Sequence, residues 1–355
     1  MPHDDDFWQD IYQSQTKTDI AGADAAGLSI LASRHVADAP LDAQFGRYPP
    51  LSTPAPFHAP LFGPLPGVDT PQKTYALVEA AKIAHLAERL ETSGLSYASL
   101  FSGDAETDLS AVAPYLIALG EDHSLTRRFF TGAAAKGGLW DAEAAIFLRS
   151  PLDLQSLRAH LRHFTRLQDH TGQWYFFRYW DPKVAMPFFH GLCQRTEAAR
   201  RWFETRQGPA ITAILVPHSG AMGIALEMFC PHPNGAQTEQ VLTPFKLQNT
   251  DHAAFQNARI EADVTQIITQ VESDFADLLP EDLRADYPRR ARKSLSWLME
   301  RGIYQKSNLL MLLVWDLAYG PDLFRKDQAL RDILEQPGGE TSRMLEMTAL
   351  IEKSA

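Results

Sequence analysis

Ala145-Ile146-Phe147-Leu148-Arg149-Ser150-Pro151-Leu152-Asp153-Leu154-Gln155-Ser156-Leu157 passes from one kind of secondary structure to another. Its first four residues are a short apolar run bounded by polar ones, as a buried strand requires. Ser150 then suits a helix N-cap, Pro151 the first helical position, and Asp153, three residues after the Ser, complements the positive helix end. Leu154, Leu157, Leu161 and Phe164 mark one face of the helix, while Arg158, Arg162 and Arg166 recur every fourth residue on another. The leucine face is expected against a sheet and the arginine face outward.

Strand signals of the same kind flank this unit at 75–78, 96–101 and 115–119, with a helix expected over 80–91 and closed by Gly94. A fifth strand is expected from Trp174 to Trp180, ended by Asp181-Pro182. On such a strand Trp174, Phe176, Arg178 and Trp180 point one way and Tyr175, Phe177, Tyr179 and Asp181 the other. Helices near 183–191 and 195–207 follow, then a hairpin of strands 211–216 and 223–229 turning through Pro217-His218-Ser219-Gly220. From Asp251 onward the pattern is helical, with segments at 251–278, 281–300, 306–319, 322–335 and 340–352 separated by Pro280, Gly302, Gly320-Pro321 and Pro337-Gly338-Gly339.

Upstream, residues 20–36 have a weak amphipathic pattern and residues 40–71 hold nine prolines, a density that blocks helix interiors and sheet ladders. The expected class is α+β: a mixed α/β lobe with a central sheet, followed by an all-helical lobe. The expected division is an acidic, Pro-rich arm over 1–72, an α/β domain over 73–207, a hairpin extension over 208–248 and a helical lobe over 249–355.

With 45% hydrophobic and 22% charged residues, the 355-residue chain has ordinary globular composition. Its net charge of −11 argues against general nucleic-acid binding, although residues 121–210 are mildly basic. Two cysteines, Cys193 and Cys230, suit a reduced compartment. The acidic start Met1-Pro2-His3-Asp4-Asp5-Asp6 lacks the basic and apolar runs of a signal peptide, and no apolar stretch reaches membrane-spanning length. A cytoplasmic protein without a membrane span is expected.

Reactive constellations are sparse. His160 and His163 are spaced to approach one ion, but three arginines on the same stretch oppose a cation, and Cys230-Pro231-His232 has no partner motif. Gly132 and Gly137-Gly138 do not form a phosphate loop, and His218-Ser219-Gly220 is only a look-alike of a nucleophile elbow. No catalytic residue, metal or cofactor is expected; a hydrolase using His218 and Ser219 is the alternative reading. In the helical lobe 309–317 reads as a buried central helix, and Trp297, Met299, Met344 and Met347 are candidates for lining a groove, since methionine adapts to varied partners.

Three stretches carry a resemblance: Phe147-Leu148-Arg149-Ser150-Pro151-Leu152; Leu157 with His160-Leu161-Arg162; and Phe177-Arg178-Tyr179-Trp180-Asp181-Pro182. In this order and spacing the chain, over about 73–205, resembles the domain-of-unknown-function 4123 family. Where that family often has Arg after Asp-Pro, this chain has Lys183, which keeps the charge and loses the bidentate fork. The resemblance implies a chaperone or adaptor of type VI secretion, which binds a cognate toxic effector and helps load it onto a VgrG-type or PAAR-type spike. It makes Arg149, Arg158, Arg162, Arg166, Arg178, Tyr179, Trp180, Asp181 and Lys183 the motif or partner-binding residues of interest.

Overall fold

The structure is a computed structural model that describes residues 28–193, 195–220, 223–233, 245–279 and 281–354. It has the expected class: an α/β region built on a large antiparallel sheet, then a helical region. Two compact units divide at Gln256 and Asn257.

In the first unit the elements run β1 (Leu28–Ala37), α1 (Ala55–Phe62), β2 (Lys73–Glu79), α2 (Leu86–Glu91), β3 (Tyr97–Ser99), α3 (Asp104–Asp108), β4 (Pro114–Ala118), α4 (Ser124–Phe129), β5 (Ala145–Ser150), α5 (Leu154–Arg162), β6 (Arg166–Asp169), β7 (Trp174–Phe176), α6 (Pro182–Leu192), α7 (Thr196–Phe203), the short pair β8 (Glu204–Thr205) and β9 (Gly208–Pro209), β10 (Ala213–Gly220), β11 (Gly223–Pro233) and β12 (Lys246–Leu247). Seven strands form one sheet in the order β1-β11-β10-β5-β2-β4-β3, each neighbour antiparallel. Side chains alternate across it. Tyr75, Leu77, Ile146, Leu148, Ile214 and Phe229 pack with α5, α6 and α7 on one face. Ala76, Val78, Phe147, Leu215 and Leu226 pack with α1, α2 and α4 on the other. A sheet covered on both faces explains why its central strands read as continuous apolar runs.

The expected boundaries at 72/73 and 207/208 therefore fall inside one sheet. β1 is an edge strand paired with β11 over ten positions, and β10 and β11 link it to β5. The proline-rich stretch holds a helix, α1, packed against the sheet. Pro54 lies just before α1 and Pro56 is in its first turn, where the missing N–H costs nothing, and Phe57 and Leu61 are fully buried under the sheet. Arg149, itself buried, donates to Pro60 O at 3.0 Å and Gly63 O at 2.9 Å, and Thr74 Oγ donates to Leu61 O. The helix expected over 80–91 is broken: a 3-10 turn at Ala80–Lys82 precedes α2, with His85 left-handed between them. Residues 217–220, where the turn is expected, stay in β10. Gly223 opens β11 at φ +116, where a Cβ would stand 2.4 Å from Ala37 O. Only glycine accepts both that backbone and that approach.

The second unit holds most of α8 (Asn249–Asp274), then α9 (Glu281–Arg284), α10 (Tyr287–Met299), α11 (Lys306–Ala318), α12 (Leu323–Lys326), α13 (Gln328–Glu335) and α14 (Glu340–Ser354). Leu309, Leu312 and Leu313 of α11 are buried as expected, with Ile267, Leu295, Ile303 and Met347 around them. Glu340 accepts from the backbone N–H of Tyr304 and Gln305, and Arg343 donates to Leu334 O and Gly302 O, so α14 closes the orphan groups around the start of α11 and the end of α13. The Pro280 separator and residues 20–27 of the weakly amphipathic 20–36 stretch lie outside the described residues, and 28–36 belong to β1.

Candidate interaction site

The segment before α6 builds the centre of the site. β7 ends at Phe176, not Trp180: Phe177 N–H turns back to Thr165 O, and Asp181 N–H closes a turn on Arg178 O. Asp181 then caps α6, accepting from Lys183 N–H at 3.1 Å, and Pro182 takes the first helical position. The turn required to enter that helix is what stops the strand, so the expected alternation fails. Phe177, Tyr179 and Trp180 are all buried. Tyr179 donates to Leu161 O at 2.8 Å, and burial pushes its phenol well above the usual range. Trp202 of α7 lies at the heart of this cluster, stacked on Phe164 at 3.8 Å and met edge-on by Tyr179 and Phe188.

Arg178 is the polar member of the turn. It reaches both carboxylate oxygens of buried Glu79, at 2.6 and 2.7 Å, and Asp181 at 3.3 Å. Lys82 joins Asp181 at 3.1 Å and donates to Glu143 O at 2.9 Å, and Lys183 pairs with Glu143 at 2.9 Å. Three cations thus meet three carboxylates where β2 ends, β5 begins and α6 starts. Lys183, in the place of the family's Arg, still finds a carboxylate, which also raises its pKa. Glu79, Lys82 and Glu143 were not among the expected residues; each sits at a strand end, and only the folded register brings them to Arg178.

The arginine helix is shorter than expected. Its N-cap is Asp153, which accepts from Ser156 N–H, whereas Ser150 remains in β5 and donates to Ala210 O at 2.5 Å. α5 ends at Arg162, so Arg166 belongs to β6. Arg158 is not free either: it donates to Ser99 O and Phe101 O, with Glu106 at 3.6 Å. Arg162 donates to Ser102 Oγ.

β6 and β7 form a hairpin that, with β12 alongside β6, makes a separate three-stranded sheet. Asp169 holds the hairpin's loop by accepting from Thr171 Oγ, Gln173 N–H and Thr171 N–H, which keeps its carboxyl at about 2. On the outer face Trp174 and Phe176 are 58% and 53% exposed, opposite Gln168 and Arg166. The Arg166 guanidinium lies 5.5 Å from the Trp174 ring centre.

In the helical unit Met344 and Met347 are buried in the core, so the expected groove is filled there; Trp297 and Met299 are partly buried against it. Trp297 is covered by Arg301 at 3.8 Å and Arg325 at 5.2 Å.

Groups that could react are held in other roles. His160 Nε2 bonds Trp202 O at 2.8 Å, and burial lowers its pKa. Neighbours on β10, His218 and Ser219 point to opposite faces: His218 Nε2 is 3.9 Å from Glu227, and Ser219 Oγ accepts from Trp140 Nε1. Both cysteines are free, and burial raises each thiol, that of Cys230 to about 11. Among the described residues no group of three or more metal-ligating side chains gathers, and no helix is long and apolar enough to cross a membrane.

No curated protein and no solved structure matches the chain. The family model described as Domain of unknown function (DUF4123) does match, over residues 74–199. That span runs from β2 into α7 and contains both the charge cluster and the hairpin, while β1, β10 and β11 lie outside it. The similarity to that family is confined to residues 74–199 of this chain.

Proposed function

We propose that the chain is a cytoplasmic adaptor or chaperone that binds a cognate type VI secretion effector, shields it, and helps load it onto a VgrG-type or PAAR-type spike. The reading joins the resemblance of the 147–183 motifs to one observation of geometry. Within its DUF4123 segment the chain turns two large aromatics, Trp174 and Phe176, to solvent beside Arg166. Exposed aromatic and arginine side chains grouped in this way are the composition of protein-binding hot spots. Of the signature residues, Phe147, Leu148, Arg149, Ser150, Leu157, Leu161, Phe177, Tyr179 and Trp180 are buried and brace the domain, while Arg162 lies on the exposed face.

Co-expression with candidate type VI effector toxins tests the proposal. A stoichiometric complex with one of them by size exclusion, and a larger soluble yield of that toxin than without the chain, are expected. Turnover of a substrate by the isolated chain, with no complex formed with any such toxin or with a spike protein, refutes it.

A further inference from the structure

Two hollows flank the β6–β7 hairpin. One, of about 370 Å³, is walled by Phe164, Trp174, Arg201, Phe245 and Lys246. The other, of about 670 Å³, is walled by Leu100, Phe101, Arg162 and Phe176. His163 and Arg166 line both and form the ridge between them. Each hollow has an aromatic wall: Trp174 beside the first, and in the second Phe176 with Phe101 at 6.0 Å.

The charge of this face is one-sided. Arg162, Arg166, Arg201 and Lys246 make no ion pair with any carboxylate among the described residues, although the chain as a whole is at −11. The acid at the rim, Glu204, is engaged with Arg200 at 3.3 Å. In the cluster at the start of α6, by contrast, Arg178, Lys82 and Lys183 are matched by Glu79, Asp181 and Glu143. Four unmatched cations around two exposed aromatics call for negative charge and apolar area together.

We propose that this face binds an extended acidic segment of a partner polypeptide, seating one apolar side chain in each hollow and laying its carboxylates over Arg166 and the flanking cations. The proposal rests on the adaptor reading and names the chemistry of the cargo segment that an adaptor would hold. Single-stranded nucleic acid fits less well. The Arg166 guanidinium already lies over the Trp174 ring on which a base would stack.

The probe is a fluorescein-labelled twelve-residue peptide alternating Asp with Trp and Leu, titrated into the full chain by fluorescence anisotropy. Its controls are the same peptide with Lys for Asp, the same with Ala for Trp and Leu, and a twelve-nucleotide oligo-dT. Expected is saturable binding to the wild type, at least tenfold weaker for every control. Binding should also weaken at least tenfold for Trp174→Ala/Phe176→Ala and for Arg166→Glu, whose exposed positions leave the fold intact by circular dichroism. Equal affinity in these variants, preference for the Lys peptide or for oligo-dT, or a homodimer that the double variant dissociates would each overturn the proposal. Hydrogen exchange in the co-purified toxin complex separates this from the adaptor reading. A complex that leaves the amides of 162–176 and 245–247 unprotected sinks the site and keeps the adaptor; peptide binding without any toxin complex does the reverse.

Discussion

Arg166 and Arg178 lie at either side of one hairpin strand, yet their surroundings are opposite. Arg178 sits in a knot where three cations meet three carboxylates at the junction of β2, β5 and α6. Arg166 stands on an open face with three other cations, where the acid at the rim, Glu204, is taken by Arg200, and it covers an exposed tryptophan. A charge matched at a buried junction fixes how elements meet, whereas an unmatched charge beside exposed aromatics has its complement elsewhere. Of the signature residues, Arg178 and Asp181 lie at the first kind of position and Arg162 at the second.

That contrast breaks most visibly at Arg178. Its replacement by Ala strands Glu79, 5% exposed, without its main counter-ion. A loss of about 2–4 kcal/mol in urea unfolding is expected, toward the low side of a fully buried pair because Arg178 itself is 44% exposed. A loss below about 0.5 kcal/mol would remove the knot's bracing role.

Asp169 probes the scaffold under the open face. Its carboxyl titrates at about 2 in the folded chain and near 4 when unfolded, so the stability it gives is complete above about pH 4 and is lost as pH falls toward 2. In parallel denaturation series, Asp169→Asn should be less stable than wild type at pH 7, with the gap closing between about pH 4 and pH 2. A gap independent of pH would mean that the carboxylate charge does not hold the loop.

Lys183→Ala tests the rim of the knot. Lys183 and Glu143 are 66% and 40% exposed, so their pair is worth about 0.2–1 kcal/mol and less in high salt. Smallest of all should be Arg166→Ala and Trp174→Ala, each within about 0.5 kcal/mol of wild type in thermal unfolding, since neither supports the core. A large destabilisation by either would make the open face structural.

The strands that lie inside the sheet were legible as apolar runs, because burial on both faces imposes that pattern locally, and the helical region was legible from its periodicity. What escaped depends on contacts between distant residues. β1 exposes much of its surface and reads as weakly amphipathic; its identity comes from β11, about two hundred residues on. That Phe57 and Leu61 close the core under the sheet depends on Arg149 and Thr74 reaching back to the α1 carbonyls. At the site, Arg178 and Asp181 stood out by composition, while Glu79, Lys82 and Glu143 did not. Trp174 and Phe176 were placed on one face, but the same reading set Trp180 beside them, and the turn into α6 buries it.

The pairing of Leu28–Ala37 with Gly223–Pro233 also sets a schedule for synthesis. β1 has no partner until almost two hundred more residues have been translated, and a sheet with such distant pairings is slow to close. Until then the nascent chain carries Ile30 and the flank of β5 uncovered, and it is in that interval, not in the finished molecule, that holding by a cellular chaperone would matter most.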